Sequence, residues 1–167
     1  MMAQQSLEAR IKMLEDIKAI EQLMWNYTYA LDYGDLNGVL DNFLDNAAME
    51  VGMRGAEKGK RAALEGRYEG KKAIAELYRS VLPEKDRFTV AHLILNPVVT
   101  VEGEKAKGMF YLLEPSGRER AMWGQGRYDI EYVKVSGKWK ISSFKYSWNF
   151  NTPYEDGWAK TPMVGVG

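Results

Sequence analysis

Cysteine is absent from this 167-residue chain, and histidine occurs once, as His92. Without cysteine there is neither a disulfide framework nor a thiolate nucleophile. One histidine and no cysteine also argue against zinc, whose protein sites use several such ligands. We therefore expect no metal and no organic cofactor. Acid–base chemistry near neutral pH would centre on His92, because the ordinary pKa of its side chain lies closest to 7.

An excess of charge of either sign is also absent. Lys+Arg and Asp+Glu each number 23, so the net charge is zero. Nucleic-acid binding needs a basic footprint, and binding to an anionic membrane surface needs basic clusters. The first ten residues lack the apolar core of a signal peptide, and no apolar run approaches transmembrane length. The sequence predicts a cytoplasmic protein that binds neither nucleic acid nor membrane.

The length suits one domain, with a core over 10–150 and a Pro/Gly-rich tail over 151–167. We expect this tail to cover a pocket or a neighbouring subunit. Apolar residues at steps of three and four predict a long helix over 6–33, ended by Gly34. A short helix from Asp35, a turn at Asp45-Asn46, a short strand over 48–51 and a third helix over 71–80 follow it. The glycine-rich segment 52–67 is predicted to be a surface loop in preference to a lid.

The second half of the chain is rich in strands, predicted over 88–101, 105–114, 118–135 and 138–149. Asn96-Pro97 indicates a bulge, and Gly124 with Gly126 indicates a bend. Helices followed by a strand meander predict an α+β fold. In it, three N-terminal helices pack on a strongly curved, mixed, mostly antiparallel sheet and enclose a conical pocket.

Three residues are candidates for proton transfer in that pocket. Asp32 ends the first helix, Tyr27 lies on its apolar stripe, and His92 lies on the first long strand. A carboxylate beside a histidine fixes its tautomer, and a protonated tyrosine donates a hydrogen bond to a substrate oxygen. A separation of five residues is poor for sharing a helical face, so Tyr29, three before Asp32, is an alternative to Tyr27.

The order of these motifs resembles the SnoaL-like branch of the nuclear transport factor two-like superfamily, also called the cystatin-like α+β cone. The resemblance spans about residues 10–160. It rests on the helix end at 27–32, on Tyr68-Glu69-Gly70, and on His92 ahead of Asn96-Pro97. It also rests on 124–128 followed by Glu131-Tyr132, and on 137–141.

The resemblance implies a site and a reaction. Scytalone dehydratase, bile-acid dehydratase and hexachlorocyclohexane dehydrochlorinase share an aspartate at the end of helix one and a histidine on the first long strand. Asp32 and His92 match these positions, which implies His92 as the general base and Asp32 as its orienting partner. Tyr27 matches a tyrosine of the dehydratases where the dehydrochlorinase has lysine. The implied function is a hydro-lyase acting on a cyclic or polycyclic hydroxy-ketone by His/Asp/Tyr acid–base chemistry.

The predicted substrate is small and apolar or polycyclic. Trp148 stands where the bile-acid enzymes carry an arginine, and the second histidine of scytalone dehydratase is missing; both departures disfavour those enzymes' own substrates. An isomerase, a polyketide-type cyclase or a non-catalytic binding protein remain alternatives. The resemblance also predicts a homo-oligomer, with a trimer favoured over a dimer. An apolar wall is predicted from Met24, Met49, Met109, Trp123 and Trp148, with Asn149 as a polar contact.

Overall fold

The computed structural model describes residues 6–53, 64–82, 89–117 and 120–162. Six strands form one sheet in the order β2-β1-β6-β5-β4-β3, with β1 and β6 parallel and the other neighbours antiparallel. The predicted α+β class is confirmed, and the curved sheet stays open between β2 and β3. The elements are α1 (Leu7–Asp32), α2 (Leu36–Leu40), β1 (Phe43–Met53), β2 (Gly66–Glu69), α3 (Gly70–Val81), β3 (Leu93–Glu102), β4 (Lys105–Gly117), β5 (Ala121–Val135), β6 (Lys138–Pro153) and α4 (Gly157–Lys160).

Helix α1 follows the predicted bounds to within one residue because both ends carry local signals. At its start, the side chain of Ser6 accepts a hydrogen bond from the Ala9 amide at 3.2 Å. After its end, Gly34 has a φ of +67°, which costs glycine little. Asp32 is therefore the last helical residue. The helix buries one apolar stripe against the sheet, formed by Ile20, Leu23, Met24, Tyr27 and Leu31.

Local signals were less reliable in the strands. The predicted turn at Asp45-Asn46 is wrong, because both residues lie inside β1, at the irregularity between Phe43 and Ala48 in its pairing with β6. The predicted turn at 115–117 is also wrong, because these residues pair with β5. Strand β2 occupies the end of the predicted loop 52–67, whose residues 54–63 lie outside the described part of the chain. An irregularity inside β1 and the hairpin pairing of β4 with β5 therefore replace the two predicted turns.

The two predicted irregularities are confirmed and bend the sheet. The β3–β4 register shifts between Leu95 and Val98, where Asn96 has a φ of +51°. The β5–β6 register shifts between Gln125 and Gly126. A bulge increases the local twist and curvature of a strand pair. The curved sheet therefore has a concave face toward α1 and a convex face away from it.

A charged cluster ties the beginning of α1 to the sheet. Asp16 is buried and accepts hydrogen bonds from Lys12 and from the Trp139 indole N–H, each at 3.0 Å. Lys134 completes the cluster through an ion pair with the same carboxylate. Asp32 ends the same helix 16 residues after Asp16, so about 24 Å of helix separates the charged cluster from the candidate site. None of the helices in the described segments is both long and apolar enough to span a membrane.

Candidate active site

Asp32 and His92 meet where the end of α1 approaches the beginning of β3. The ring Nδ1 of His92 lies 2.6 Å from Oδ1 of Asp32. The backbone amide of His92 also donates to the same carboxylate, at 3.1 and 3.3 Å. An ionised carboxylate accepts, so Nδ1 of the neutral imidazole carries the proton and Nε2 keeps its lone pair. Both side chains are mostly buried, with 15% of His92 and 22% of Asp32 exposed.

Glu114 faces the free nitrogen of His92. The pairs Ile94–Leu112 and Val90–Ser116 flank the two residues and place them opposite each other. Oε2 of Glu114 lies 3.7 Å from Nε2. This distance is too long for a direct hydrogen bond, so Nε2 remains available to a substrate proton. Among the described residues, no three His, Asp or Glu side chains are grouped so that they could hold a metal ion.

Glu114 was not among the residues expected from the sequence, although a signal for it exists. Alternate residues of β4 are buried from Ala106 to Leu112. Continuing this period of two brings Glu114 onto the same inward face. A carboxylate that extends a buried apolar series marks a candidate functional site.

The environment of His92 favours its protonated form. Burial acts to lower the pKa of His92, but the hydrogen bond that it donates to Asp32 and the negative charges of Glu114 and Asp32 raise it. The net result is a pKa above the ordinary value of 6.5. A base of raised pKa binds an abstracted proton more firmly, and its neutral form is populated only above that pKa.

Tyr27 is paired with a second tyrosine that was not expected from the sequence. Its hydroxyl lies 2.6 Å from that of Tyr78, which also contacts Sδ of Met49 at 3.5 Å. Burial is the main reason why the pKa of each tyrosine is raised above its ordinary value, so both stay protonated. One hydroxyl donates to the other, and the pair keeps one further O–H, for which thioether sulfur is a weak acceptor. The alternative, Tyr29, is 64% exposed and points away from this site.

Aromatic rings on the concave faces of β5 and β6 form one continuous wall. Phe144 contacts Tyr128 with ring centroids 4.7 Å apart, Tyr128 contacts Tyr146 at 5.0 Å, and Tyr146 contacts Trp148 at 4.6 Å. Burial raises the pKa of Tyr128, and the charges of Glu114 and Asp32 add to this effect. Glu114 pairs with Gly124, which lies under the Trp148 ring, so the wall adjoins the carboxylate that faces His92.

Two glycines of β5 make room for this wall. A Cβ on Gly124 would lie 2.7 Å from the Trp148 ring, and one on Gly126 would overlap the Tyr146 ring. Both side chains therefore lie across β5, toward β4. A bend was predicted at these glycines. The close approach of the two rings is a second physical reason for glycine at both positions.

Three of the six residues predicted to line the pocket are buried in the core. Trp148 belongs to the aromatic wall, Met49 contacts Tyr78, and Met24 of α1 is fully buried. All three share the hydrophobic core with Tyr27.

The other three predicted lining residues are corrected, because they do not share the concave face. Met109 alternates with the buried Gly108 and Phe110 and therefore faces outward. Trp123 alternates with Gly124 and stacks on Tyr154, with ring centroids 6.4 Å apart. Asn149 is exposed at the β6 bulge and donates to Gln125 at 2.8 Å. A shift of one residue in register exchanges the two faces of a strand, which is why the sequence misplaced them.

The fold is an α+β cone whose sheet stays open on one side, and it carries a mostly buried aspartate–histidine pair. These two features define the class of this protein. The SnoaL-like domain model matches residues 12–145, so the chain belongs to the SnoaL-like domain family. The predicted family resemblance is thereby confirmed. No curated protein sequence matches the chain.

Solved structures with the same fold include enzymes and proteins of unknown function. The chain is similar to a provisionally named aromatic ring hydroxylase of Novosphingobium aromaticivorans, at 25% identity and a TM-score of 0.69, over 86% of this chain and 96% of that one. A provisionally named scytalone dehydratase of the same species has 20% identity and a TM-score of 0.68, over 92% and 96%. Hexachlorocyclohexane dehydrochlorinase LinA-type3 of Novosphingobium barchaimii LL02 has 20% identity and a TM-score of 0.67, over 84% and 90%.

Proposed function

We propose that this protein is a cofactor-independent carbon–oxygen lyase that dehydrates a cyclic or polycyclic hydroxy-ketone. The observation that carries the proposal is the 2.6 Å contact between Asp32 and Nδ1 of His92, which leaves Nε2 as a base facing Glu114. The dehydratase and dehydrochlorinase among the structural neighbours support elimination chemistry on this fold.

In the proposed reaction His92 moves one proton from carbon to oxygen. Nε2 takes the proton next to the substrate carbonyl, and the imidazolium formed is stabilised by Asp32 and Glu114. The electron pair of the broken C–H bond forms the new double bond as the β-hydroxyl leaves. The imidazolium returns its proton to that hydroxyl, so that water is released and His92 is neutral again. No net proton, electron or co-reactant is needed.

The tyrosine pair serves as an oxygen-holding group in this scheme. As its C–H proton is removed, the substrate carbonyl oxygen gains negative charge and becomes a better acceptor. The remaining O–H of Tyr27 and Tyr78 would donate to that oxygen in place of the weak contact with Met49. The raised pKa values argue that these tyrosines donate a hydrogen bond without losing the proton. Tyr27 therefore keeps its proposed catalytic role, with Tyr78 beside it.

Product mass tests this function against its alternatives. The protein is incubated with bicyclic ketones that carry a hydroxyl β to the carbonyl, and the products are analysed by mass spectrometry. We expect loss of water, with the absorbance of a conjugated ketone appearing at the same rate. A product of unchanged mass would favour an isomerase that uses the same base. Tight binding without turnover would leave a binding protein and contradict the lyase.

We further propose that the chain self-associates, with a trimer expected. The convex side of β3 and β4 exposes apolar side chains, including Leu95, Val98 and Tyr111. Apolar patches on a protein surface are typical of protein interfaces. On α1, Tyr29 and Tyr33 are exposed as well, whereas Lys18 lies over the Trp25 ring at 4.1 Å. Light scattering gives the molar mass in solution and so distinguishes a trimer from a dimer or a monomer.

A further inference from the structure

Two buried polar atoms in the aromatic wall have no hydrogen-bonding partner among the described residues. They are the hydroxyl of Tyr146 and the indole Nε1 of Trp148, whose side chains are in contact with each other. Tyr146 is 7% exposed and Trp148 is 5% exposed. Leaving a buried polar group unpaired is unfavourable, because the group loses its hydrogen bonds to water. Native proteins keep few such groups, and a bound ligand is one reason to keep them.

These two atoms lie on the same face as His92 but at a distance from it. His92 lies opposite Glu114 on β4, and Glu114 pairs with Gly124 on β5, under the Trp148 ring. Two interstrand spacings separate the two points, which is about 10 Å. Glu114 lies between the base and the wall, because it faces Nε2 of His92 and pairs with Gly124 under the Trp148 ring. A molecule that reaches both points needs at least two fused rings.

The chemistry of the two atoms defines what they would bind. An indole N–H donates and cannot accept, and a phenol O–H donates to an oxygen beside it. The group they share must therefore be an acceptor, such as a carbonyl or hydroxyl oxygen. The aromatic wall around this group consists of Phe144, Tyr128, Tyr146 and Trp148, which are all uncharged. The charged side chain beside the wall is Glu114, through its pairing with Gly124. A carboxylate placed here would be buried without a counter-charge, which is unfavourable.

We propose that Tyr146 and Trp148 form a second oxygen-binding subsite, which selects an uncharged substrate of two or more fused rings with oxygens at both ends. One oxygen lies with the reacting carbon at His92, and the other accepts from the Tyr146 hydroxyl and the Trp148 indole. The inference rests on the proposed function only in stating which end of the substrate reacts. The subsite itself is a binding property of the folded protein.

Three matched ligands test the subsite by calorimetry on the full chain carrying His92→Gln, which removes turnover. They are 1-tetralone with hydrogen, hydroxyl or carboxylate at carbon 6, at about pH 6, where the phenol is uncharged. We expect the hydroxyl to increase affinity about fivefold over hydrogen, the value of one net hydrogen bond. The carboxylate should bind more weakly than hydrogen. Tyr146→Phe and Trp148→Phe should each abolish the gain from the hydroxyl.

Tyr132→Phe is the matched control. Tyr132 is also buried, and its hydroxyl has no partner in the described part of the chain, but it lies six residues from Gly126 along β5, about 20 Å away. The Tyr132→Phe variant should leave the order of the three ligand affinities unchanged. Tyr146→Phe should also leave the melting temperature of the free protein unchanged or slightly higher, because it removes an unpaired polar atom. A lower melting temperature with unchanged ligand affinity would assign the hydroxyl a structural role and overturn the subsite.

The subsite and the reaction can fail separately. If the wild type dehydrates hydroxy-ketones but the three ligands bind equally, the subsite is wrong and the lyase stands. If the ligands bind in the expected order but no compound loses water, the lyase is wrong and the subsite stands.

Discussion

Replacing His92 with glutamine is expected to lower kcat/KM for dehydration by roughly 10²- to 10⁴-fold, the range of a lost general base. Glutamine keeps a hydrogen-bonding side chain of similar reach beside Asp32, but it cannot accept a proton near neutral pH. The chain has no other histidine that could substitute. The rate is measured as enone formation at saturating and limiting substrate.

The same variant should fold normally. His92 makes one side-chain hydrogen bond to Asp32 at a partly exposed site, so we expect its melting temperature to stay within about 5 °C of the wild type. Asp32→Asn should also lose activity, whereas Asp41→Asn, at an exposed carboxylate beyond α2, should retain it. Equal losses in both aspartate variants, or a His92→Gln protein that melts far lower but turns over normally, would contradict a catalytic role.

Asp16→Ala is expected to destabilise the protein by about 2–3 kcal/mol, the value of hydrogen bonds to a buried charged group. The substitution leaves Lys134 and the Trp139 indole N–H without their acceptor. It thereby removes these hydrogen bonds between α1 and strands β5 and β6. The melting temperature should fall by about 5–10 °C. Thermal unfolding followed by circular dichroism measures this effect.

Asp45→Ala is the matched control for Asp16. Asp45 also pairs with a lysine, Lys71 at 2.8 Å, but its side chain is 95% exposed. Exposed ion pairs contribute about 0–1 kcal/mol, so the variant should melt close to the wild type. If the two variants lost equal stability, the buried cluster would not be the cause.

The stability contributed by Asp16 depends on pH. Burial acts to raise the pKa of Asp16, but its hydrogen bonds to Lys134, Lys12 and Trp139 lower it below the ordinary value of 3.8. A carboxyl whose pKa is lower in the folded state stabilises the protein above its unfolded pKa. This contribution is lost as the pH falls through the folded pKa. The difference between wild type and Asp16→Ala should therefore shrink below about pH 4.

Local signals explain what could be predicted from the sequence about the fold. The apolar spacing of α1, the Ser6 cap and Gly34 all act within a few residues, so the position of Asp32 at the helix end was predictable. The bends at Asn96-Pro97 and at Gly124 were predictable because proline and glycine have few structural roles inside strands. The turn at 45–46 failed because these residues form an irregularity inside β1. The turn at 115–117 failed because β4 continues through these residues and pairs with the start of β5.

The site was predictable only where a motif or a family position pointed to it. Asp32 and His92 came from their positions in the family, and the structure brings them into contact. Tyr78 was hidden because its partner Tyr27 lies 51 residues away. Tyr146 carries no local signal of a site, since aromatic residues are common in strands. Met109 and Trp123 were misplaced because composition does not specify which face of a strand a residue occupies.

The pKa and tautomer of His92 test the central claim most directly, and they are readable without a substrate. Because His92 is the only histidine, its ring nitrogens give one set of resonances in a ¹⁵N NMR titration. We expect a pKa above 6.5 for His92 and a neutral form protonated on Nδ1. Glu114→Gln should lower this pKa, because it removes a negative charge facing Nε2. A pKa below 6.5, or a neutral ring protonated on Nε2, would contradict the account.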